Sequence, residues 1–333
     1  MLDRATRLAT VSMLAALVGA CGGGDGPAPG PAPAPVPGPA PTATIAQRAA
    51  AAASAASQAA DCVAVQPFYW SIGDAAGKQG DGGAGAAPPT AQTVMSIASA
   101  SKLVYGAYVA ELRAGALADT DMAFLNFTSG YTNFTSCSQT DTVATCEAAG
   151  SNGTHEPAND GRFYYGGGHM ERHAFDNGLA ADGNAALAEA VNTMLGTSFA
   201  YSQPQPAGGI YTNAAAYAAF LQRVVGGRLK IGALLGTHAV CTNPRTCPDA
   251  VYTPIPAESD HYSIGHWVED DPAAGDGAFS SPGAFGFYPW VDGGKTWWGI
   301  VARMVRNSDE QEGVASMKCG RRIRAAWVSA RYP

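Results

Sequence analysis

The sequence predicts an α+β fold, with one antiparallel sheet built from both ends of the chain and a mostly helical subdomain inserted between them. A helical and a strand pattern come first, helical patterns fill the middle, and strand patterns followed by a last helix close the chain. This order suits a shared sheet, because the elements of one domain pack around one core. A disulfide between Cys62, near the start, and Cys319, near the end, fits the same arrangement.

The first half of the chain contains each kind of predicted element. Segment 45–60 is alanine-rich with few breakers and predicts a helix. Segment 62–73 is rich in β-branched and aromatic residues and is followed by turn residues at 74–89, which predicts a strand and hairpin. Segment 95–115 predicts a largely buried helix, because apolar residues recur among small ones. Thr, Ser, Asn and Gly dominate 126–162, which is predicted to be a loop.

The second half is predicted to form two further helices, three antiparallel strands and a final helix. The helices are 170–190, with a break near Gly183, and 213–225. The strands are 262–269, 283–291 and 295–304, and the last helix is 314–330. Asp292-Gly293-Gly294 supplies the hairpin turn between the last two strands.

Residues 1–20 have the pattern of a secretory signal peptide, with two arginines before an apolar run that ends in small residues. Leu17-Val18-Gly19-Ala20-Cys21 resembles the lipobox of bacterial lipoproteins, which implies that Cys21 is lipidated. Ordinary secretion with a stray cysteine is the alternative. Residues 21–42 are then the lipidated cysteine and a Gly, Pro and Ala linker. These features predict a periplasm-facing lipoprotein of the bacterial cell envelope, on the outer membrane.

Residues 43–333 show no second linker or repeat and predict one large domain. The net charge of −7 and the 14% content of charged residues argue against a nucleic-acid partner, which requires a basic face. Three Asn-x-Thr sequons, at Asn126, Asn133 and Asn152, are interpreted as chance matches beside a bacterial signal.

Beyond Cys21 the chain has six cysteines, an even number, which in an exported protein predicts disulfides. Close spacing along the sequence favours two disulfides between neighbouring cysteines and leaves two distant cysteines to pair, although the sequence permits other connectivities. The favoured pairs are Cys137 with Cys146, Cys241 with Cys247, and Cys62 with Cys319. Zinc binding is the competing interpretation, but neither short pair has Cys-x-x-Cys spacing.

The most informative motif is Ser-x-x-Lys at Ser99 and Lys102, which opens an apolar helical run. A serine hydroxyl must lose its proton to a nearby base as it attacks. Residues three apart on a helix share a face, so the lysine amine can lie beside the serine oxygen. Burial lowers a lysine pKa and lets the amine act as that base. The structural alternative is a helix cap at Ser99 and a solvated Lys102.

An ordered set of motifs then resembles the serine β-lactamase and penicillin-binding-protein superfamily, most closely the class C β-lactamase-like esterases and peptidases. The matching segments are Ser99-Ala100-Ser101-Lys102, Phe163-Tyr164-Tyr165-Gly166-Gly167, 207–214 (Ala-Gly-Gly-Ile-Tyr-Thr-Asn-Ala), 262–267, and 280–286 (Ser-Ser-Pro-Gly-Ala-Phe-Gly). They resemble, in order, the nucleophile motif, the Tyr-x-Asn element, the Ala-Gly-Gly segment, a sheet strand, and the Lys-Thr-Gly or His-x-Gly element. The resemblance implies a β-lactamase/transpeptidase-like fold and a serine hydrolase that needs no cofactor.

The resemblance also implies roles for individual residues. Ser99 is expected to be the acylated nucleophile, Lys102 its base or proton shuttle, and Tyr165 a partner that protonates the leaving group. Tyr164 is the rival for the tyrosine role. The backbone N–H groups of Ser99 and Ala284 are expected to form the oxyanion hole, in a substrate-binding segment that includes Gly283.

Two departures from the family pattern narrow the expected substrate. Gly167 stands where the family has an asparagine, which removes a side-chain amide. Ser281 stands where the family has a lysine or histidine, which removes a cation for a substrate carboxylate. Both changes favour neutral esters or amides, including D-amino-acid or cell-wall peptide types, over penicillins. A catalytically weak scaffold that binds cell-wall peptide or a partner, and a true β-lactamase, are the alternatives.

His169 and His173 lie four residues apart, a spacing that can bind zinc on one helical face. The intervening glutamate is not where a zinc protease places it, and no third ligand is indicated. A structural or cleft-lining role is therefore preferred, and no metal is expected.

Overall fold

The computed structural model describes residues 43–306 and 309–332. The predicted signal peptide, Cys21 and the linker up to residue 42 lie outside the described residues. Within them the predicted α+β class is confirmed, because helices surround an eight-stranded sheet in which every pair of neighbours is antiparallel. None of the helices in the described part of the chain is long and apolar enough to span a bilayer.

The helices and strands have the following bounds. The helices are α1 Ile45–Gln58, α2 Ala60–Val63, α3 Ser101–Leu112, α4 Asp119–Leu125, α5 Val143–Glu147, α6 Gly168–Ala174, α7 Asn184–Leu195, α8 Ala214–Val225, α9 Ile231–Leu234 and α10 Glu310–Ser329. The strands are β1 Phe68–Asp74, β2 Gly77–Ala84, β3 Met95–Ser96, β4 Phe163–Tyr164, β5 Ala200–Tyr201, β6 Ile210–Thr212, β7 Val240–Cys241, β8 Ala250–Tyr252, β9 His261–Ser263, β10 His266–Glu269, β11 Ala278–Ser280, β12 Tyr288–Val291 and β13 Trp298–Ala302.

The large sheet joins the two ends of the domain. Its strand order is β2-β1-β13-β12-β11-β10-β9-β7, so the N-terminal hairpin lies beside the last strand. Trp70 of β1 faces Val301 of β13 in the register. Helices α1 and α10 pack together on the hairpin and on β12 and β13, while α3 and α8 contact the sheet from the middle of the chain. The predicted sheet, built from both ends with a helical insertion, is therefore observed.

Three disulfides connect the pairs that the spacing favoured. Cys62 of α2 is bonded to Cys319 of α10, with the Cα atoms 4.5 Å apart, and this bridge fastens the start of the domain to its last helix. The short bridges are Cys137–Cys146 and Cys241–Cys247.

A buried charge network fixes α10 on the sheet. The Glu269 side chain is fully buried at the end of β10, and its Oε2 accepts hydrogen bonds from Arg321 and Arg324, each at 2.8 Å. Arg324 also donates to Asp276 at 2.7 Å and to the Tyr288 hydroxyl at 2.9 Å. The arginines hold the pKa of Glu269 below its usual value despite burial. Each arginine also has a second carboxylate, Glu258 for Arg321 and Asp276 for Arg324, so the network shares its charges over several pairs.

Some element boundaries differ from the predicted ones. The predicted helix 95–115 begins only at Ser101, because β3 and a 3₁₀ turn at Ala98–Ala100 precede it. The break predicted near Gly183 is observed, because Gly183 is the N-cap of α7; a further kink precedes it at Gly178 with φ 91°, a left-handed conformation suited to glycine. The predicted strand 262–269 is two strands joined by a tight turn at Ile264 and Gly265.

Candidate active site

Ser99 lies in a tight turn between a strand and a helix. β3 pairs with β6, and the chain then passes through the 3₁₀ turn Ala98–Ala100 into α3. Ala98 has φ 44°, a left-handed conformation that costs an alanine about 1–3 kcal/mol. Such strain persists only where the surroundings determine it, and it is common at functional sites. The turn places the Ser99 side chain at the end of the helix rather than within it.

Lys102 contacts Ser99 directly. Its side chain is buried, and Nζ donates hydrogen bonds to Ser99 Oγ at 2.8 Å and to the Ala207 carbonyl at 3.0 Å. Burial lowers the lysine pKa to about 8, while the carboxyl groups of Glu310 and Glu171 oppose this shift. An amine with this pKa is partly neutral near physiological pH and can accept the serine proton.

Tyr165 rather than Tyr164 faces the serine. The Tyr165 ring is 6% exposed and its centroid lies 5.0 Å from Lys102 Nζ. Burial raises the pKa of Tyr165, and a hydrogen bond with Ser99 opposes this shift. Tyr164 is half-buried, with its ring 5.3 Å from the ring of Tyr252. The structure therefore brings Ser99, Lys102 and Tyr165 together and leaves Tyr164 outside this group.

A small recess opens at Ser99. Ser99, Tyr165, Trp267, Ala284 and Glu310 are among its lining residues. The recess is partly open to solvent. Ala284 was expected in the oxyanion hole, and the structure places it at the recess beside Ser99.

Ser281 and Gly283 have a different place from the predicted one. Ser281 Oγ donates a hydrogen bond to the Ser99 carbonyl at 2.9 Å, so this hydroxyl holds the nucleophile turn and does not line the recess. Gly283 packs against the same turn, because a Cβ atom there would lie 2.0 Å from the Ile97 carbonyl oxygen. The segment after β11 therefore supports Ser99 from the sheet side.

Gly167 directly precedes α6 and has no side chain that could contact Lys102. The ring of Phe134 occupies the space beside it, since a Cβ atom on Gly167 would lie 3.0 Å from Phe134. Gly168 next to it is similarly close to the carbonyl oxygens of Tyr131 and Asn133. The loop that the sequence predicted at 126–162 therefore forms the wall in place of the missing asparagine.

Two carboxyl groups near Lys102 were not anticipated as site residues. Glu171 in α6 is fully buried, and burial raises its pKa well above the usual range, which favours the protonated form. Glu310 lines the recess, and its Oε2 accepts a hydrogen bond from the Tyr252 hydroxyl at 2.7 Å. Glu171 was considered in the sequence only as the residue between two candidate zinc ligands, and no motif marks Glu310, which approaches Ser99 only in the folded chain.

The two histidines considered as metal ligands are both held by protein groups. His169 contacts Ser129 Oγ at 2.7 Å and the Tyr164 carbonyl at 3.0 Å. His173 contacts the Tyr105 hydroxyl at 2.8 Å and Asp121 at 3.0 Å. Both nitrogens of each ring are occupied, so the rings serve the core of the helical subdomain.

The described residues also contain one close group of three potential metal-binding side chains. It consists of Cys137, Cys146 and Glu171, whose ligand atoms lie within 4.8 Å of one another. The two cysteines are bonded to each other in a disulfide and are therefore not thiolate ligands.

Comparisons with known proteins identify the fold. No family model matches the sequence, and no curated protein matches it. Among solved structures, a penicillin-binding-protein homologue from Caulobacter crescentus has a TM-score of 0.59 at 14% identity, covering 83% of this chain and 97% of that chain. A candidate β-lactamase from Bacteroides dorei has a TM-score of 0.56 at 19% identity, covering 77% and 93%. Simvastatin synthase from Aspergillus terreus has a TM-score of 0.54 at 14% identity, covering 84% and 98%. The chain therefore has the fold of the serine β-lactamase and penicillin-binding-protein superfamily.

Proposed function

We propose that this protein is a serine hydrolase that forms an acyl-enzyme at Ser99 and acts on an ester or amide that lacks a carboxylate. The observation that carries the proposal is the 2.8 Å hydrogen bond between buried Lys102 Nζ and Ser99 Oγ. A buried lysine with a pKa lowered to about 8 is a suitable base for a serine nucleophile. A lysine with only a structural role would more often keep its charge paired or in solvent.

The reaction follows from these contacts. Ser99 Oγ attacks the substrate carbonyl carbon while neutral Lys102 accepts the hydroxyl proton. The carbonyl oxygen becomes an oxyanion, which the backbone N–H groups of Ser99 and Ala284 stabilise in this proposal. The bond to the leaving group breaks, and Tyr165 with Lys102 delivers a proton to the departing alcohol or amine. Water then attacks the acyl-enzyme, and Ser99 recovers its proton as the acid leaves.

The residues around Ser99 do not favour a substrate carboxylate. Among the described residues, no lysine, arginine or histidine lines the recess. Ser281, which stands where the family has a cation, bonds to the Ser99 backbone and carries no charge. We therefore expect short-chain esters to be hydrolysed and nitrocefin to resist turnover, since its carboxylate lacks a cationic partner at this position.

Covalent labelling tests the nucleophile. The domain from residue 43 onward is incubated with a fluorophosphonate, and its intact mass is measured. We expect one adduct on the wild-type domain, none on Ser99→Ala, and slow labelling of Lys102→Ala. Ser101→Ala is a matched control, because its hydroxyl accepts the Ile210 N–H at 3.2 Å and faces away from the reaction.

An unlabelled wild-type domain, under conditions that label a known serine hydrolase, would contradict the proposal and favour the scaffold that binds cell-wall peptide without turnover. Labelling of Ser99→Ala at the wild-type rate would contradict the assignment of the nucleophile. Nitrocefin turnover that depends on Ser99 would instead identify a β-lactamase.

We further propose that the protein is anchored to the bacterial cell envelope by a lipid on Cys21, facing the periplasm. The lipobox resemblance and the Gly, Pro and Ala linker support this location. Metabolic labelling with palmitate is expected for the full chain and lost in Cys21→Ala. A labelled Cys21→Ala protein would contradict the anchor.

A further inference from the structure

We propose that Glu310 makes the cleft at Ser99 selective for substrates that carry an ammonium group beside the scissile ester or amide. This inference rests on the proposed hydrolase function and names its substrate class. Among the described residues that line the recess, Glu310 is the one with a charged side chain. Ser281 stands where the family has a cationic residue, and its hydroxyl donates a hydrogen bond to the Ser99 carbonyl.

Neighbouring contacts fix the position of Glu310. Its Oε2 accepts the hydroxyl of Tyr252 at 2.7 Å, and Tyr252 ends the short strand β8. The next residue, Gln311, donates through Nε2 to the Pro254 carbonyl at 3.0 Å. These two contacts dock the start of α10 on the segment that forms one wall of the recess, so the carboxylate has a defined place beside Ser99.

The electrostatics of the site favour a positive charge in front of the serine. Glu310 is the largest contribution that raises the pKa of Lys102, which shows that its field stabilises an ammonium at this distance. Lys102 is not among the residues that line the recess, and it must be neutral to act as a base, so it does not repel a cation in the reactive state. Arg303, another cation near this end of α10, is paired with Glu312 at 2.6 Å.

Aromatic rings complete the environment that an ammonium group prefers. Trp267 and Tyr165 line the same recess, with ring centroids 5.4 Å apart and planes inclined by 29°. The faces of such rings attract cations, most strongly when the site is partly shielded from water. A carboxylate opposite aromatic rings therefore matches an alkylammonium group better than a neutral or anionic one.

Matched substrates test the inference on both sides of the scissile bond. Acetylcholine is compared with 3,3-dimethylbutyl acetate, and glycine methyl ester with methyl propionate; each pair replaces a cationic group by a neutral one of nearly the same shape. For at least one pair we expect the ratio of kcat/KM for the cationic member to that for the neutral member to fall roughly tenfold from the wild-type domain to Glu310→Gln, the size expected for a half-buried charge pair. The ammonium group activates its ester electronically in both variants, so the change between variants isolates Glu310, and the amide in Glu310→Gln keeps an acceptor for Tyr252 but loses the charge. The ratio is taken within each variant, so a general loss of activity cancels.

Glu189→Gln is the matched control, because it removes the same charge from an exposed position in α7, outside the recess. Its ratio should remain that of the wild type. An unchanged ratio in Glu310→Gln overturns the inference, while Ser99-dependent hydrolysis of the neutral esters upholds the hydrolase.

A second measurement does not need turnover. Labelling of Ser99 by a cationic methylphosphonyl thiocholine is compared with labelling by its neutral 3,3-dimethylbutylthio analogue. We expect the cationic reagent to react faster with the wild-type domain, and this preference to fall several-fold in Glu310→Gln. An equal preference in the two variants counts against the inference, and absence of all labelling overturns the hydrolase and the inference together.

Discussion

The pH dependence of Ser99 reactivity is the most direct test of the lysine base. Burial lowers the pKa of Lys102 to about 8, and only the neutral amine can accept the serine proton. The neutral fraction is then about 1% at pH 6 and about 90% at pH 9, so the rate should rise roughly 100-fold across this range. A lysine with its ordinary pKa would be almost fully charged throughout the same range and far less reactive.

The assay is the rate of Ser99 labelling by a neutral phosphonate, measured between about pH 6 and pH 10 and corrected for reagent hydrolysis. Glu310→Gln should move the midpoint to lower pH, because the Glu310 carboxylate raises the pKa of Lys102. Lys102→Met should react slowly and without this midpoint. A flat wild-type profile, or a midpoint at the ordinary lysine pKa, would refute the assignment of Lys102 as a buried base.

Three further substitutions test the support of the site. Lys102→Met should raise the free energy of unfolding at pH 7 by up to about 3 kcal/mol, because folding lowers the pKa of Lys102. This gain should vanish as the pH rises from about 8 to 10.5. Denaturant titration of both proteins at each pH measures the gain, and an equal gain at high pH would contradict the lowered pKa. Gly283→Ala should abolish phosphonate labelling, since the new Cβ would lie 2.0 Å from the Ile97 carbonyl oxygen; Gly283→Ala protein labelled at the wild-type rate would show that this contact is not needed. Glu269→Gln should lower the free energy of unfolding by about 1–3 kcal/mol, because Arg321 and Arg324 lose one charged acceptor but keep Glu258 and Asp276; an unchanged free energy in the same titration would show that this acceptor is not needed.

Local patterns in the sequence account for most of the fold. The alternation of helix and strand patterns predicts the sheet shared by both ends, and hydrophobic periodicity is the strongest signal for such elements. The same reasoning placed the start of the first middle helix too early, at 95 instead of Ser101. The reason is the left-handed Ala98, because its conformation is imposed by contacts across the fold and not by the preference of alanine.

The residues of the candidate site also fall into two groups, those that the sequence predicts and those that only the folded chain brings to Ser99. Ser99 and Lys102 are close in sequence, so their contact follows from spacing alone. Glu310 could not be found from spacing, because the first turn of the last helix reaches the serine only after the sheet has formed. Ser281 was recognised by its motif, but its bond to the Ser99 carbonyl depends on the exact approach of β11 and could not be predicted. The sequence alone therefore does not predict the role of a residue whose contacts are with segments far away along the chain.

The strained turn at Ser99 is stable because both parts of the domain hold it. From the sheet, Ser281 Oγ donates to the Ser99 carbonyl; from the helical subdomain, the Tyr217 hydroxyl donates to the Ala100 carbonyl at 2.8 Å, and the Ile97 N–H donates to the Ile210 carbonyl at 3.1 Å. Three such hydrogen bonds contribute about 0.5–1.5 kcal/mol each, which is comparable to the cost of the left-handed alanine. The reactive geometry therefore exists only when the sheet and the subdomain are both in place, so a loosened interface between them should reduce Ser99 reactivity before the domain unfolds.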